Sequence, residues 1–297
     1  MSVALSLSLA NFTNFNMTGA TGSSGDKFRG RKCFVLITGG SRGIGKTLAI
    51  EFAKNLAKDS VIVITGRNAT NLQDTEFKIA STAEHIKVVG ETCDHSTATY
   101  QDYEQLMSRT SRYVENPEST ILVHNVGTLG DVSMYAASYD DPKMIGDYMY
   151  LNLTSVMLLT SAFLKQYGPN ANVAKTIINI STPLARKAVA GLGLYSGGKA
   201  AREMYLNVLA VENPAVKILH YYPGVVKTDM LAEIQTGVKE MRPAWEEFLT
   251  KAMDPEPSAG MLVDILRSGD FESGEYISYY DRACKVEQYG RSTTSTE

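Results

Sequence analysis

From Lys32 onward the chain alternates short, β-branched apolar runs with longer stretches whose apolar residues recur every three or four positions. The short runs predict strands over Cys33–Thr38, Val61–Thr65, Ile86–Val89, Thr120–His124, Thr176–Ile180, Val216–Tyr222 and Tyr276–Tyr279. The longer ones predict helices over Ile44–Lys58, Asn71–Glu84, Tyr100–Val114, Lys143–Tyr167 and Ser196–Glu212, with two more near Pro243–Met253 and Ser258–Arg267. Phe34-Val35-Leu36-Ile37 is continuously apolar, as a strand covered on both faces must be. Alternation of this kind without a linker predicts one doubly wound α/β domain. Its seven-stranded, mostly parallel sheet carries helices on both faces. The domain is expected over residues 31–284, between disordered tails at 1–30 and 285–297; the first 25 residues carry no charge and are rich in Ser, Thr, Asn and Gly.

Charge and composition remove several function classes. Over 297 residues, 29 basic side chains against 32 acidic ones leave a net charge of −3, with no footprint for nucleic acid or an anionic membrane. Cys33, Cys93 and Cys284 are far apart and form no C-x-x-C pair, which argues against a disulfide framework or zinc site and for a reducing, cytoplasmic compartment. The four His show no metal-ligand spacing, so no metal is expected. No Lys or Arg precedes Lys27, as a signal or transit peptide would need. The uncharged stretch Tyr148–Leu164 is broken by polar residues and is shorter than the ~20 apolar residues of a membrane span.

Candidate chemistry begins in the loop after the first strand, Thr38-Gly39-Gly40-Ser41-Arg42-Gly43-Ile44-Gly45-Lys46-Thr47. Gly40-x4-Gly45-Lys46-Thr47 fits the P-loop pattern, whereas Thr38-Gly39-x3-Gly43-x-Gly45 fits the dinucleotide-binding turn of short-chain dehydrogenases. Both cradle phosphate on backbone N–H groups at a helix start. A P-loop protein needs an acid ending a later strand to hold Mg²⁺. Here those strands end in His124-Asn125 and Ile180-Ser181.

The dinucleotide reading places cofactor contacts at Gly39, Ser41, Arg42, Gly43, Ile44 and Gly45, and it finds support at three further strand ends. After the second strand stand Arg67 and Asn68, where an NAD enzyme carries an acid and an NADP enzyme an Arg for the 2′-phosphate. Arg42 would assist Arg67. After the third come Asp94 and His95, as candidate partners of the adenine, although an Asp in a loop is often only a cap. After the fourth, Asn125-Val126-Gly127 resembles the Asn-Ala-Gly motif of the same superfamily, at the cofactor ribose. NADPH is the cofactor this pattern implies.

Tyr195-Ser196-Gly197-Gly198-Lys199 opens a helix, which sets Tyr and Lys on one face. A phenol of ordinary pKa about 10 is a poor acid at neutral pH, and a nearby cation lowers that value. Tyr195 is therefore the candidate proton donor to a carbonyl oxygen. Tyr139-x3-Lys143 matches the same spacing, but Pro142 inside it breaks the geometry. In the superfamily Lys199 would also reach the nicotinamide ribose. The Ser usually placed thirteen residues before the Tyr falls on Thr182, with Ser181 in reserve. Asn152, a polar amide within an apolar helix, would hold a proton-relaying water there.

Longer blocks narrow the resemblance. Gly127-Thr128-Leu129-Gly130-Asp131-Val132-Ser133, Asn152-Leu153-Thr154-Ser155 and Gly198-Lys199-Ala200-Ala201-Arg202-Glu203-Met204 are similar to the sepiapterin reductases. So are Tyr222-Pro223-Gly224-Val225-Val226-Lys227-Thr228-Asp229-Met230 and Ser273-Gly274 with Tyr279-Tyr280-Asp281. The resemblance covers about Lys32 to Asp281. It implies a Rossmann-fold, cytosolic, homodimeric reductase that uses NADPH on side-chain ketones of pterins such as sepiapterin and 6-pyruvoyl-tetrahydropterin, in tetrahydrobiopterin biosynthesis. It further implies that Gly224 touches substrate, that Val226, Thr228 and Met230 line the cofactor, and that dimerisation pairs the helices Lys143–Tyr167 and Ser196–Glu212. The chain departs from the family at Ser278, where an Asp anchors the pterin, and at Leu192, where the family has an aromatic. Asp281 or Glu275 would replace that Asp if the local register shifts. A reductase of other vicinal dicarbonyls, and a nonenzymatic NADP-binding sensor, are the alternatives.

Overall fold

In the computed structural model, which describes residues 30–168, 172–238, 246 and 249–283, the seven expected strands form one sheet. They are β1 (Cys33–Ile37), β2 (Val61–Gly66), β3 (Lys87–Thr92), β4 (Ser119–His124), β5 (Ala174–Ile180), β6 (Val216–Tyr222) and β7 (Glu275–Ser278). Their order is β3-β2-β1-β4-β5-β6-β7, and every pairing is parallel rather than mostly so. Strand order reverses between β1 and β4, which opens the crevice where doubly wound sheets bind ligands.

Alternate residues of β1 feed opposite faces. Cys33, Val35 and Ile37 pack with helices α1 (Gly43–Asn55) and α2 (Ala69–Thr82), whereas Phe34 and Leu36 pack with α3 (Tyr100–Thr110). The long helix expected over Lys143–Tyr167 is three pieces: α4 (Pro142–Met149), a π-turn (Tyr150–Thr154) and α5 (Ser155–Tyr167). The π-turn holds Asn152 and closes on a bond from Ser155 N–H to Tyr150 C=O; such wide turns cluster at functional sites. Next come α6 (Gly193–Glu212), α7 (Asp229–Glu233) and α8 (Pro255–Ser268). α5 and α6 complete the face of α3, and α8 joins α1. Of the helix expected near Pro243–Met253, residues 246, 249 and 250 are helical, 251–253 are not, and the rest lie outside the described residues, as both tails almost wholly do.

Edge strand β3 runs past Val89 to Thr92, because the backbone of β2 offers a partner as far as Gly66 and an exposed edge tolerates Glu91. α7, which the sequence pattern did not predict, is only five residues long and is held by its Thr228 cap.

Three buried histidines, His95, His124 and His220, make stability depend on pH. Burial pushes His95 down from 6.5 to about 4 and His220 to about 3. The unfolded chain takes up these protons near pH 6.5 and the folded chain does so only far lower, so the stabilisation is whole above pH 6.5 and lost as pH falls towards 4. At His95 alone the depression corresponds to about 3 kcal/mol. Unfolding midpoints measured from pH 7 to 4.5 should fall steeply in the wild type and less steeply in His95→Asn. Equal slopes would contradict this account.

Candidate active site

The loop between β1 and α1 is built for a phosphate. Gly39 and Gly43 take positive φ (69° and 53°). A Cβ on Gly45 would lie 2.9 Å from the Gly39 carbonyl carbon and 2.5 Å from Asn125 Nδ2, so only glycine fits. The cap residue Arg42 makes no side-chain bond to α1, which leaves the N–H groups of its first turn for an anion. Ser41 faces Gly66 at the end of β2, and Ile44 packs on the core. This cradle fits a dinucleotide.

Asn125 ties the crevice together. Its Nδ2 donates to Thr38 O (2.9 Å) and Gly39 O (3.2 Å), while Thr38 Oγ1 accepts from the N–H groups of Asn125 (2.9 Å) and Val126 (3.0 Å).

At the far end Arg67 is exposed just beyond β2, and Asn68 accepts from Asn71 N (3.0 Å) as the cap of α2. Arg42, expected to assist Arg67, is itself engaged: it sits 2.5 Å from Asp229. Both members are largely exposed, so the pair is worth at most about 1 kcal/mol. Asp94 Oδ1 accepts from Ser96 N (3.0 Å) and Ser96 Oγ (2.7 Å); these bonds hold its carboxyl below the ordinary range, aided by the Arg67 charge. The His95 side chain does not face the crevice. It is buried between Thr65 Oγ1 and Tyr103 Oη, both 2.8 Å away, so only its backbone is free to meet a cofactor.

The catalytic candidates converge where β5 meets α6. Tyr195 and Lys199 are 9% and 5% exposed, and Tyr195 hydrogen-bonds the Thr182 side chain. Thr182 also accepts from Leu184 N (3.3 Å). Lys199 Nζ donates to Ile180 O (2.7 Å) and lies 5.8 Å from the Tyr195 ring centroid. The electrostatics differ from expectation. Burial holds the Tyr195 phenol above 10, and what opposes it is the Thr182 bond and the charge of Arg202. Burial, aided by Arg202, likewise pushes Lys199 well below its ordinary value, with Glu203 opposing.

Asn152 Oδ1 accepts from Thr128 N (3.0 Å) and its Nδ2 donates to Tyr148 O (3.0 Å). Its amide is thus engaged at both ends, and it fixes the Gly127–Thr128 backbone over Lys199. A Cβ on Gly127 would stand 3.8 Å from Lys199 Nζ.

The remaining substrate candidates divide. Ser181 points away from Thr182 and donates to the Glu203 carboxylate, so the structure removes it as a free carbonyl ligand. Gly224 (φ 80°) lies against the Tyr280 ring, and Tyr280 Oη accepts from Val225 N (3.1 Å). Val226 is buried and pairs with Met253, while Thr228 caps α7 by accepting from Leu231 N (3.3 Å). Met230 packs with Leu129, Val132, Leu192 and Ile234 around Tyr195, so the departure at Leu192 falls in an apolar wall beside the phenol. Ser278 ends β7 opposite Tyr222, where its Oγ accepts from Tyr280 N (3.3 Å).

The profile of the short chain dehydrogenase family matches residues 33–239. Sepiapterin reductase from Bos taurus is 36% identical over 271 residues, covering 89% of this chain and 100% of that protein. The chain is a short-chain dehydrogenase. Its relatives include sepiapterin reductase from Rattus norvegicus (34% identical; 83% of this chain, 95% of that one) and benzil reductase ((S)-benzoin forming) from Bacillus cereus (28%; 82% and 98%). Among solved structures, a short chain dehydrogenase from Escherichia coli CFT073 complexed with NADPH superposes with a TM-score of 0.68, at 25% identity over 86% of this chain and 98% of that one.

This short-chain dehydrogenase also places residues in the site that motif reading passed over. Arg202 and Glu203 follow Lys199 by one turn and are buried. Charged residues on the inward face of an otherwise apolar helix were the available signal. Tyr280 and Asp229 lay in blocks that carried the resemblance without a role of their own, and Tyr148 gave no signal, since its contact with the site comes only through the fold.

Proposed function

We propose that the chain is an NADPH-dependent carbonyl reductase that acts on side-chain ketones of pterins. The observation that carries this reading is the convergence of Tyr195, Thr182 and Lys199 beside the glycine cradle and the Asn125–Gly127 backbone. The likeness to sepiapterin reductases supports the substrate class.

NADPH, when bound, supplies a hydride to the carbonyl carbon. The protein's residues do the rest. The first turn of α1 and Gly39, Gly43 and Gly45 receive the pyrophosphate, and Arg67 with Arg42 receives the 2′-phosphate. Thr182 holds the carbonyl oxygen, and Tyr195 Oη gives that oxygen its proton. Lys199 takes the ribose hydroxyls, and its positive charge favours the phenolate that remains. Leu129, Val132, Leu192 and Ile234 exclude water from the reacting face.

The Arg67 assignment carries its own expected outcome. Arg67→Ala should weaken NADPH binding about ten- to hundredfold, the range of a hydrogen-bonded charge, and leave NADH binding nearly unchanged. Titration of both nucleotides checks it; an equal loss for both would refute the role.

A second reading, reduction of other vicinal dicarbonyls, is favoured by one feature: Ser278 replaces a charged anchor worth about 1.5–3 kcal/mol. NADPH oxidation followed with sepiapterin and with a simple diketone separates the two. Turnover of the diketone alone selects the second, and binding without any reduction selects the sensor. Assembly is proposed as a homodimer through α4–α5 and α6, on which Met204, Val208 and Val211 form an exposed apolar row.

A further inference from the structure

Arg202 is the largest fully buried side chain among the described residues. It lies one turn past Lys199 and two past Tyr195 on α6. Its Nη1 donates to Val126 O (3.0 Å) and its Nη2 to His124 O, while its Nε is buried without a partner among the described residues. A guanidinium taken out of water needs compensation, and two carbonyls supply it only in part. Those carbonyls flank Asn125, in the segment whose next residue, Gly127, passes over Lys199.

The groups facing this charge come from several elements: His124 at the end of β4, Tyr148 on α4, His220 on β6, and Tyr195, Lys199 and Glu203 on α6 itself. Both histidines are driven towards the neutral form, so neither adds a cation at neutral pH. The Glu203 carboxylate is occupied by Ser181 and lies 3.5 Å from Arg186. Burial lowers Arg202 only to about 10, which leaves it charged at neutral pH.

We propose that Arg202 is a positioning residue with two separable jobs. Its fork fixes the Asn125–Gly127 backbone that receives the cofactor ribose, and its charge stands behind Tyr195 to favour the phenolate left when the proton moves to the carbonyl oxygen. Lys199 does not do the second alone, because burial pushes its ammonium well below its ordinary range while its Nζ is held on Ile180 O. The second job rests on the reductase reading; the first needs only nucleotide binding.

Arg202→Lys keeps the charge and loses the fork, and Arg202→Met loses both. NADPH dissociation constants and the pH profile of kcat, with the wild type alongside, read the two jobs separately. Both variants should bind NADPH about tenfold more weakly. In Arg202→Met alone, the weaker acid should lower kcat at neutral pH and move the alkaline limb of the profile up by about one unit. NADPH affinity unchanged in Arg202→Lys overturns the fork, whether or not Arg202→Met folds. An alkaline limb that shifts equally in both variants, or in neither, overturns the charge. A wild type that reduces no carbonyl defeats the reductase reading instead, and the NADPH titrations still decide the hold on Asn125–Gly127.

Discussion

Tyr195→Phe should lower the rate of carbonyl reduction by about 10²–10⁴-fold, the usual worth of a positioned general acid, while NADPH binds as before. The phenol is buried, bonded to Thr182 and aligned on one helix face with Lys199, so its loss removes the proton donor and little else. Phenylalanine fills the same space among Leu129, Val132 and Leu192, and the Thr182 hydroxyl keeps its bond from Leu184 N. The stability change should therefore stay near the net value of one hydrogen bond, about 1 kcal/mol. Single-turnover NADPH oxidation and an NADPH titration check the two halves. A rate within about twofold of wild type would refute the acid assignment.

Gly45→Ala should cost nearly as much by a different route. The added methyl would press on the Gly39 carbonyl and on Asn125 Nδ2, whose bonds to Thr38 and Gly39 join the loops after β1 and β4. Neither neighbour is the free end of a flexible side chain, so the backbone must shift. Overpacking of this kind costs about 1–3 kcal/mol in stability. The same displacement spoils the phosphate cradle, with an expected loss of NADPH affinity of about a hundredfold or more. Gly260→Ala is the control. Its methyl meets nothing within 4 Å inside α8, and it should stabilise by about 1 kcal/mol through helix propensity. A Gly45→Ala protein that binds NADPH like the wild type would contradict the cradle.

The strands were legible because a parallel sheet covered on both faces needs continuous apolar runs, and β1, β2 and β4 are buried throughout. Tyr195 and Lys199 stood out as candidates because one helix face holds them a turn apart, and Thr182 because the family resemblance sets a hydroxyl thirteen residues before the Tyr; the fold brings the three together. The π-turn at Asn152 was not, since an apolar helical pattern carries no mark of an i→i+5 bond. Nor was the engagement of Arg42 by Asp229, residues 187 apart that meet only when α7 folds back over the glycine loop. His95 shows the same limit, because its burial against Tyr103 depends on α3 packing beneath β2 and no adjacent residue announces it.

In the proposed mechanism Tyr195 gives a proton to a carbonyl held by Thr182, with Lys199 serving both the phenol and the cofactor ribose. A crystal structure with NADPH and a carbonyl ligand decides it. The Tyr195 hydroxyl should lie within hydrogen-bond reach of the ligand oxygen, with Lys199 Nζ on the ribose hydroxyls. A nicotinamide bound elsewhere, with Tyr195 turned from the carbonyl and Lys199 still bonded only to Ile180, would contradict it.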